Sequence, residues 1–359
     1  MHTPTTKETV GMVALTAFIS LFGSLFLIFT PAYAQFGNAG AGARVFLSMN
    51  PSYPGPNERV HVSLESSVID LSQSEITWYV NNKIFAQGTG LREADIVAGT
   101  LGTKTDISVI AQTSDGTSAS GDATISPANV DLLWESDSYI PPFYRGRALA
   151  SSGTSIRISA IVQFKPIGSL QVPEGNIVYS WKRNGSVVGS ASGKGRSFAV
   201  FPSPSLFGTD TIEVVASTVD GSQKGSGEVR ISSIEPVLTL YQDHPLFGIM
   251  YNQALGNTTS LSDAEATFAA VPYFADADSP DDARLIYAWS VNGNSVQTDE
   301  LKRSGLTVNA DRSNGLAQIA LSITHAANLA MQSSDAWRVS FGTDNSGFIG
   351  VNPLLPSSQ

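Results

Sequence analysis

The chain contains no cysteine, which removes disulfides, zinc–thiolate sites, iron–sulfur clusters and thiol nucleophiles together. Whatever it folds into must be held by hydrophobic cores alone. Charge is scarce as well: Asp, Glu, Lys and Arg make up 14% of residues, against roughly 25% in ordinary globular proteins. Helices depend on Glu, Lys and Arg for their exposed faces, so this scarcity argues against a mainly helical fold. Only 21 Lys and Arg stand against 31 acidic residues. That balance disfavours a nucleic-acid partner, which needs clustered cations. The histidines are His2, His61, His244 and His325, and none forms a pair with metal-ligand spacing. No G-x-S-x-G elbow and no Walker loop is present. The sequence therefore points away from an enzyme. What it does have is 359 residues, 42% of them hydrophobic, enough for two or three domains of ordinary size.

One long apolar run exists. Residues 12–30, MVALTAFISLFGSLFLIFT, carry no charge. Pro31-Ala32-Tyr33-Ala34-Gln35 follows, with the A-x-A spacing of small residues that signal peptidase reads. The run exceeds the ~7–15 residues of a signal core and approaches the ~20 needed to span a bilayer. Residues 1–34 are expected to be either a signal peptide cleaved after Ala34 or an N-terminal membrane-anchor helix. Either way the rest of the chain is expected outside the cytoplasm, secreted or held at the cell surface. Residues 35–43 read as a Gly/Ala linker, and residues 345–359 as a tail with no hydrophobic anchor of its own.

Beyond the linker the sequence alternates. In Arg59-Val60-His61-Val62-Ser63-Leu64 every second residue is apolar, and the same holds for Ile107, Val109 and Ala111, and for Ile212, Val214 and Ala216. Period two means half-buried strands, with His61 on the solvated phase. Ser114-Asp115-Gly116 and Val219-Asp220-Gly221 close such strands, and Asp-Gly tolerates the positive φ of tight hairpins.

The sequence also repeats itself. Ile76-Thr77-Trp78-Tyr79-Val80-Asn81-Asn82 returns as Val178-Tyr179-Ser180-Trp181-Lys182-Arg183-Asn184-Gly185, and again as Ile286-Tyr287-Ala288-Trp289-Ser290-Val291-Asn292-Gly293. The three Trp lie 103 and 108 residues apart, the length of one sandwich domain each. Each is expected to be a buried core anchor rather than a ligand contact. In the third copy, Ile319-Ala320-Leu321-Ser322-Ile323 runs into His325-Ala326-Ala327-Asn328 without Asp-Gly, and its last strand is expected at residues 337–341. These residues resemble the bacterial Ig-like and PKD-like repeats of exported proteins, over residues 44–342. The resemblance implies architecture rather than activity. The expected fold is all-β: three tandem immunoglobulin-like β-sandwiches at residues 44–127, 128–233 and 234–344, the last divergent.

Two segments are unlike ordinary strand connections. Residues 134–149 run Trp-Glu-Ser-Asp-Ser-Tyr-Ile-Pro-Pro-Phe-Tyr-Arg-Gly-Arg-Ala-Leu, and residues 241–255 form a counterpart from Tyr241 through Phe247 and Tyr251 to Leu255. Both are expected to lie between the first and second strands of their repeats. One reading packs each insert on its own or the preceding domain, fixing the interdomain angle. The other makes Tyr139, Phe143, Tyr144, Arg145, Phe247 and Tyr251 a partner-binding surface, since interfaces favour Tyr and Arg and proline limits the entropy lost on binding. Asp276, Asp278 and Asp281 lie in an acidic run that reads as a solvated loop or as oxygen ligands for Ca²⁺. The function expected is that of a non-catalytic extracytoplasmic structural or adhesion protein. Its partner would be another surface protein or cell-envelope component, alongside pilus or secretion machinery by analogy with such repeats. The alternative is a carbohydrate-binding module using exposed aromatics. No cofactor beyond Ca²⁺ is expected, and membrane contact only through residues 12–30 if they are retained.

Overall fold

The structure, a computed structural model, describes residues 43–165, 169–310 and 315–342. The expected signal or anchor segment 12–30, the cleavage site at Ala34, residues 35–42 of the linker and the tail 345–359 lie outside the described residues. Among the described residues no helix is long and apolar enough to cross a membrane.

The first sandwich comprises β1 (Ala43–Arg44), β2 (Phe46–Asn50), β3 (Arg59–Glu65), β4 (Glu75–Val80), β5 (Lys83–Thr89), β6 (Glu93–Val97), β7 (Thr105–Gln112) and β8 (Ser118–Ile125). A sheet of order β2-β3-β6 faces one of order β1-β8-β7-β4-β5. The second comprises β9 (Asn129–Ser136), β10 (Ser155–Gln163), β11 (Ile177–Arg183), β12 (Ser186–Val187), β13 (Gly193–Lys194), β14 (Phe198–Pro202), β15 (Thr209–Thr218) and β16 (Lys224–Ser232). Its sheets are β14-β10-β9 and β12-β11-β15-β16, with β13 also on β11. The third comprises β17 (Val237–His244), β18 (Gly248–Ala254), β19 (Thr258–Leu261), β20 (Glu265–Tyr273), β21 (Leu285–Val291), β22 (Asn294–Val296), β23 (Gly305–Asn309), β24 (Gly315–His325) and β25 (Gln332–Phe341). Its sheets are β18-β17-β20-β23 and β19-β25-β24-β21-β22. One connectivity recurs three times, and it is the immunoglobulin-like arrangement of two packed sheets.

The alternating residues build the cores. Val60, Val62 and Leu64 point inward from β3, Ile107, Val109 and Ala111 from β7, and Ile212, Val214 and Ala216 from β15. Each such Val, Leu or Ile contributes about 1.5–3 kcal/mol on burial. Trp78, Trp181 and Trp289 are fully buried on β4, β11 and β21. Each indole Nε1 donates to a backbone carbonyl 13–15 residues further on: Leu91 at 2.9 Å, Arg196 at 2.9 Å and Arg303 at 3.0 Å. The Trp thus ties its own strand to the segment that enters the opposite sheet.

The turns that follow have Asn81, Asn184 and Asn292 at φ +51°, +51° and +52°, each succeeded by a second positive-φ residue. That is the twist-matched two-residue hairpin. Each Asn also receives a backbone N–H on its Oδ1, from Asp106 (3.0 Å), Thr211 (2.9 Å) and Gln318 (2.8 Å). The hairpin tip is thereby fixed to the start of the neighbouring strand in all three copies.

Three expectations about boundaries are corrected. Trp134 and Glu135 belong to β9, so the irregular segment begins only after Ser136. Residues 241–255 are mostly a hairpin of β17 and β18 rather than a loop. The last strand begins at Gln332, five residues before Trp337.

Candidate interaction site at the second junction

The connection from β9 to β10, residues 137–154, is cinched at its base by short polar side chains. Ser136 Oγ donates to Thr154 Oγ1 (2.9 Å), Thr154 Oγ1 donates to the Ser151 carbonyl (2.8 Å), and Ser138 Oγ donates to the Leu149 carbonyl (2.6 Å). All four residues are buried, so the segment stands as a fixed projection. It crosses to the third sandwich, where the Tyr139 N–H donates to the Ala275 carbonyl (2.8 Å) and the Phe274 N–H to the Tyr139 carbonyl (2.6 Å). Packing on the following domain differs from the expected packing on its own or the preceding one. The cause lies in β20, whose residues from Phe268 to Tyr273 are all buried. Phe268 and Ala270 face the core of the third sandwich, while Val271 and Tyr273 face the projection. A strand covered on both faces loses its alternation.

The contact is aromatic. Tyr144 meets Tyr273 and Phe274 edge-on at 5.6 and 5.8 Å, and Tyr241 lies 5.5 Å from Tyr251. The Tyr241 and Tyr273 hydroxyls share a hydrogen bond of 2.6 Å. Burial raises the pKa of Tyr139, Tyr241, Tyr251 and Tyr273, with neighbouring tyrosines adding to the shift at Tyr139 and Tyr273. Edge-to-face rings at these distances add about 0.5–1.5 kcal/mol per pair beyond area burial.

A polar contact flanks the aromatic one. Asn328, in the β24–β25 turn, donates through Nδ2 to the Ser152 carbonyl (2.8 Å). Gly153 sits beside it at φ +95°, where an added Cβ would overlap the Asn328 amide and come within 2.7 Å of Asp276 Oδ2. This turn is where the third repeat departs from Asp-Gly, and the departure supplies a junction contact.

The sequence-derived residues divide. Tyr139, Tyr144 and Tyr251 are committed to the junction. Phe143 projects from the loop, 91% exposed at φ +66°, and Phe247 is exposed while stacked on His244 at 4.7 Å. Arg145 is exposed, and Arg147 lies over the Trp134 ring at 4.6 Å. Asp276 accepts from Arg284 Nη1 (3.2 Å), Asp281 accepts the Ser304 N–H (2.8 Å), and the exposed Asp278 carboxylate pairs with Arg284 Nη2 at 3.5 Å. Among the described residues no three His, Asp or Glu side chains are grouped to hold a metal ion. Sequence reasoning missed Val271, Tyr273, Phe274 and Asn328. For the first three the signal was the unbroken apolar run 268–275; Asn328 had none.

The sequence matches no family model and no curated protein. Similar solved structures include fibronectin(III)-like modules of Clostridium thermocellum CbhA, at 15% identity over 53% of this chain and 94% of that one, TM-score 0.25. The central fibronectin-III array of RIM-binding protein is 13% identical over 84% of this chain and 98% of that one, TM-score 0.29. The Bacteroides ovatus glucan-utilization protein SGBP-B, solved with a mixed-linkage heptasaccharide, is 10% identical over 82% of this chain and 70% of that one, TM-score 0.23. These likenesses are too distant to bear on what the chain binds.

Proposed function

We propose that the chain is a non-catalytic extracytoplasmic scaffold that carries a partner-binding surface at its second junction. What supports this reading is the fate of the aromatic residues. A sugar-binding platform needs its rings exposed and coplanar, whereas Tyr139, Tyr144, Tyr241, Tyr251 and Tyr273 are spent between two sandwiches. Rings in that position set a fixed angle between domains. The residues left to meet another surface protein or cell-envelope component are Phe143, Arg145 and Phe247. Phe143 holds a left-handed backbone that is rare for an aromatic residue, the kind of local cost that persists where a side chain must be presented.

Crosslinking with mass spectrometry on intact cells tests the reading. Replacing Phe143, Arg145 and Phe247 by Ser is expected to abolish partner capture and leave melting unchanged. Capture undiminished in that variant would overturn the assignment of the surface. Retention of the native chain on an insoluble polysaccharide, lost in the same variant, would favour carbohydrate binding instead.

A further inference from the structure

The projection at the second junction differs in charge from the rest of the chain. Residues 138–154 hold Arg145 and Arg147 and no Asp, Glu or Lys, in a sequence where acidic residues outnumber Lys and Arg by 31 to 21. Both arginines are exposed, and among the described residues neither has an ion-pair partner. The nearest carboxylates along the chain are engaged elsewhere. Glu135 pairs with Arg157 at 3.8 Å, and Asp137 Oδ1 accepts the Ser155 N–H at 2.7 Å. Tyr144 turns inward onto Tyr273 and Phe274, Ala148 is buried, and the Tyr144 ring fills the side of Gly146 where a Cβ would stand. Phe143, Arg145 and Arg147 are thus left on the outer side of the projection.

We infer that this row docks on an acidic segment of another protein, Asp or Glu side chains set beside an apolar group, with Arg145 and Arg147 as the carboxylate-binding residues. The inference rests on the partner-binding reading of the projection, and adds to it Arg147 and the chemistry of the partner. An arginine without a counter-ion in its own chain keeps its N–H donors for an outside acceptor. Arg147 is also held in place, its guanidinium 4.6 Å over the Trp134 ring of β9. Stacking occupies the face of the guanidinium and leaves its N–H edge free. That edge meets a carboxylate through two parallel hydrogen bonds.

The base of the projection is already fixed by the hydrogen bonds of Ser136, Ser138 and Thr154, so docking orders little backbone. Phe143 supplies the apolar contact, and aromatic residues and Arg are the types that interface centres collect. Charge then sets where the partner lands. A net charge of −10 repels an acidic segment from the surface at large, and the projection is where that repulsion turns to attraction. A lipid surface or a nucleic acid rewards a broad field of cations. Two guanidinium groups beside one ring match a short segment instead.

Arg145→Lys keeps the charge and gives a carbodiimide an amine to join to a carboxylate as an amide. In the full-length chain on intact cells, this variant is expected to link position 145 to an Asp or Glu of another protein, read by mass spectrometry. Val187→Lys, on the exposed strand β12 of the same sandwich, is expected to give no such link. Arg145→Gln combined with Arg147→Gln is expected to lose partner capture with melting unchanged. Capture by the native chain should fall on the order of tenfold between about 0.05 and 0.5 M salt, because exposed charge pairs are screened. A link from position 145 only to carboxylates of this chain, or none above the Val187→Lys level, would overturn the inference. Sedimentation of the native chain with phosphatidylglycerol vesicles, without that link, would assign the row to a lipid surface. Capture kept by the double Gln variant but lost on replacing Phe143, Arg145 and Phe247 by Ser would leave the surface standing and remove the acidic partner.

Discussion

At the scale of single residues, two side chains three positions apart key each sandwich. Trp78, Trp181 and Trp289 each give their indole N–H to a carbonyl in the segment before the opposite sheet. Asn81, Asn184 and Asn292 each hold a left-handed turn and receive an N–H from the next strand. Asn184→Ala should destabilise the second sandwich by about 1–2 kcal/mol more than Asn184→Gly, because only Ala meets the left-handed steric penalty. Equal losses in denaturant unfolding would mean that the hydrogen bond to Thr211 carries the whole effect. Asp282 offers a second test. Hydrogen bonds from the Arg284 side chain, then from the Asp278 and Arg284 N–H groups, hold its carboxyl below the usual carboxylate range. With the folded pKa depressed, this stabilisation is complete above the unfolded value of about 3.9 and is lost as pH falls through the folded one. The melting temperature of the transition that includes the third sandwich should therefore fall below about pH 4, and Asp282→Asn should flatten that decline. A variant with an unchanged acid profile would remove Asp282 from the account. The Trp and Asn positions were legible in the sequence because both sit within one strand and turn. Their backbone partners, a carbonyl for each Trp and an N–H for each Asn, were not, since a main-chain group has no residue signature.

Elements were legible where they are covered on one face. The alternation in β3, β7 and β15 predicts both the strand and its inward side, and the structure agrees residue by residue. In β20 burial on both faces erased the pattern, and with it the sign that another domain docks there. The aromatic and proline content of residues 134–149 did mark an unusual segment, but composition carries no direction, so its docking on the following sandwich was not legible. Gly153 is the tightest point of that docking. Gly153→Ala should cost about 1–3 kcal/mol through overlap with Asn328 and Asp276 and through its positive φ. Hydrogen exchange should then quicken at the Tyr139 and Phe274 amides, which bridge the two sandwiches; unchanged protection there would show that the turn can give way without loss. The tyrosines make the same contact sensitive to alkali. Burial raises their pKa in the folded state. The stabilisation is fully present below the unfolded value of about 10 and declines above it, as the unfolded chain ionises first. Ultraviolet titration should show junction tyrosines ionising late and together with domain separation in scattering. Early, independent ionisation would contradict their burial.

Across the whole molecule the two junctions are built unequally. Between the first and second sandwiches the linker is short, and the Ala128 N–H donates to the Pro54 carbonyl at 3.2 Å. The corresponding connection in the first sandwich, around Asn50-Pro51-Ser52-Tyr53-Pro54, lacks the long projection that residues 137–154 supply. Between the second and third, a buried aromatic cluster, two exchanged backbone bonds and the Asn328–Ser152 bond join the domains. Interdomain surfaces that are small and polar leave domains free to move, and large apolar ones do not. The second and third sandwiches should therefore unfold as one cooperative unit and the first by itself. Calorimetry of the intact chain should resolve two transitions, with the larger enthalpy in the one covering residues of both later sandwiches. Tyr139→Ser combined with Tyr144→Ser should split that transition into two, because the second core stays complete and the third loses only the flanking contact of Tyr139, while the shared cluster loses the two rings that the projection contributes. The first transition should not move. If the double variant still melted as one unit, the coupling would reside in the polar contact at Gly153 and Asn328 rather than in the aromatic cluster, and Asn328→Ala would then be the substitution that splits it.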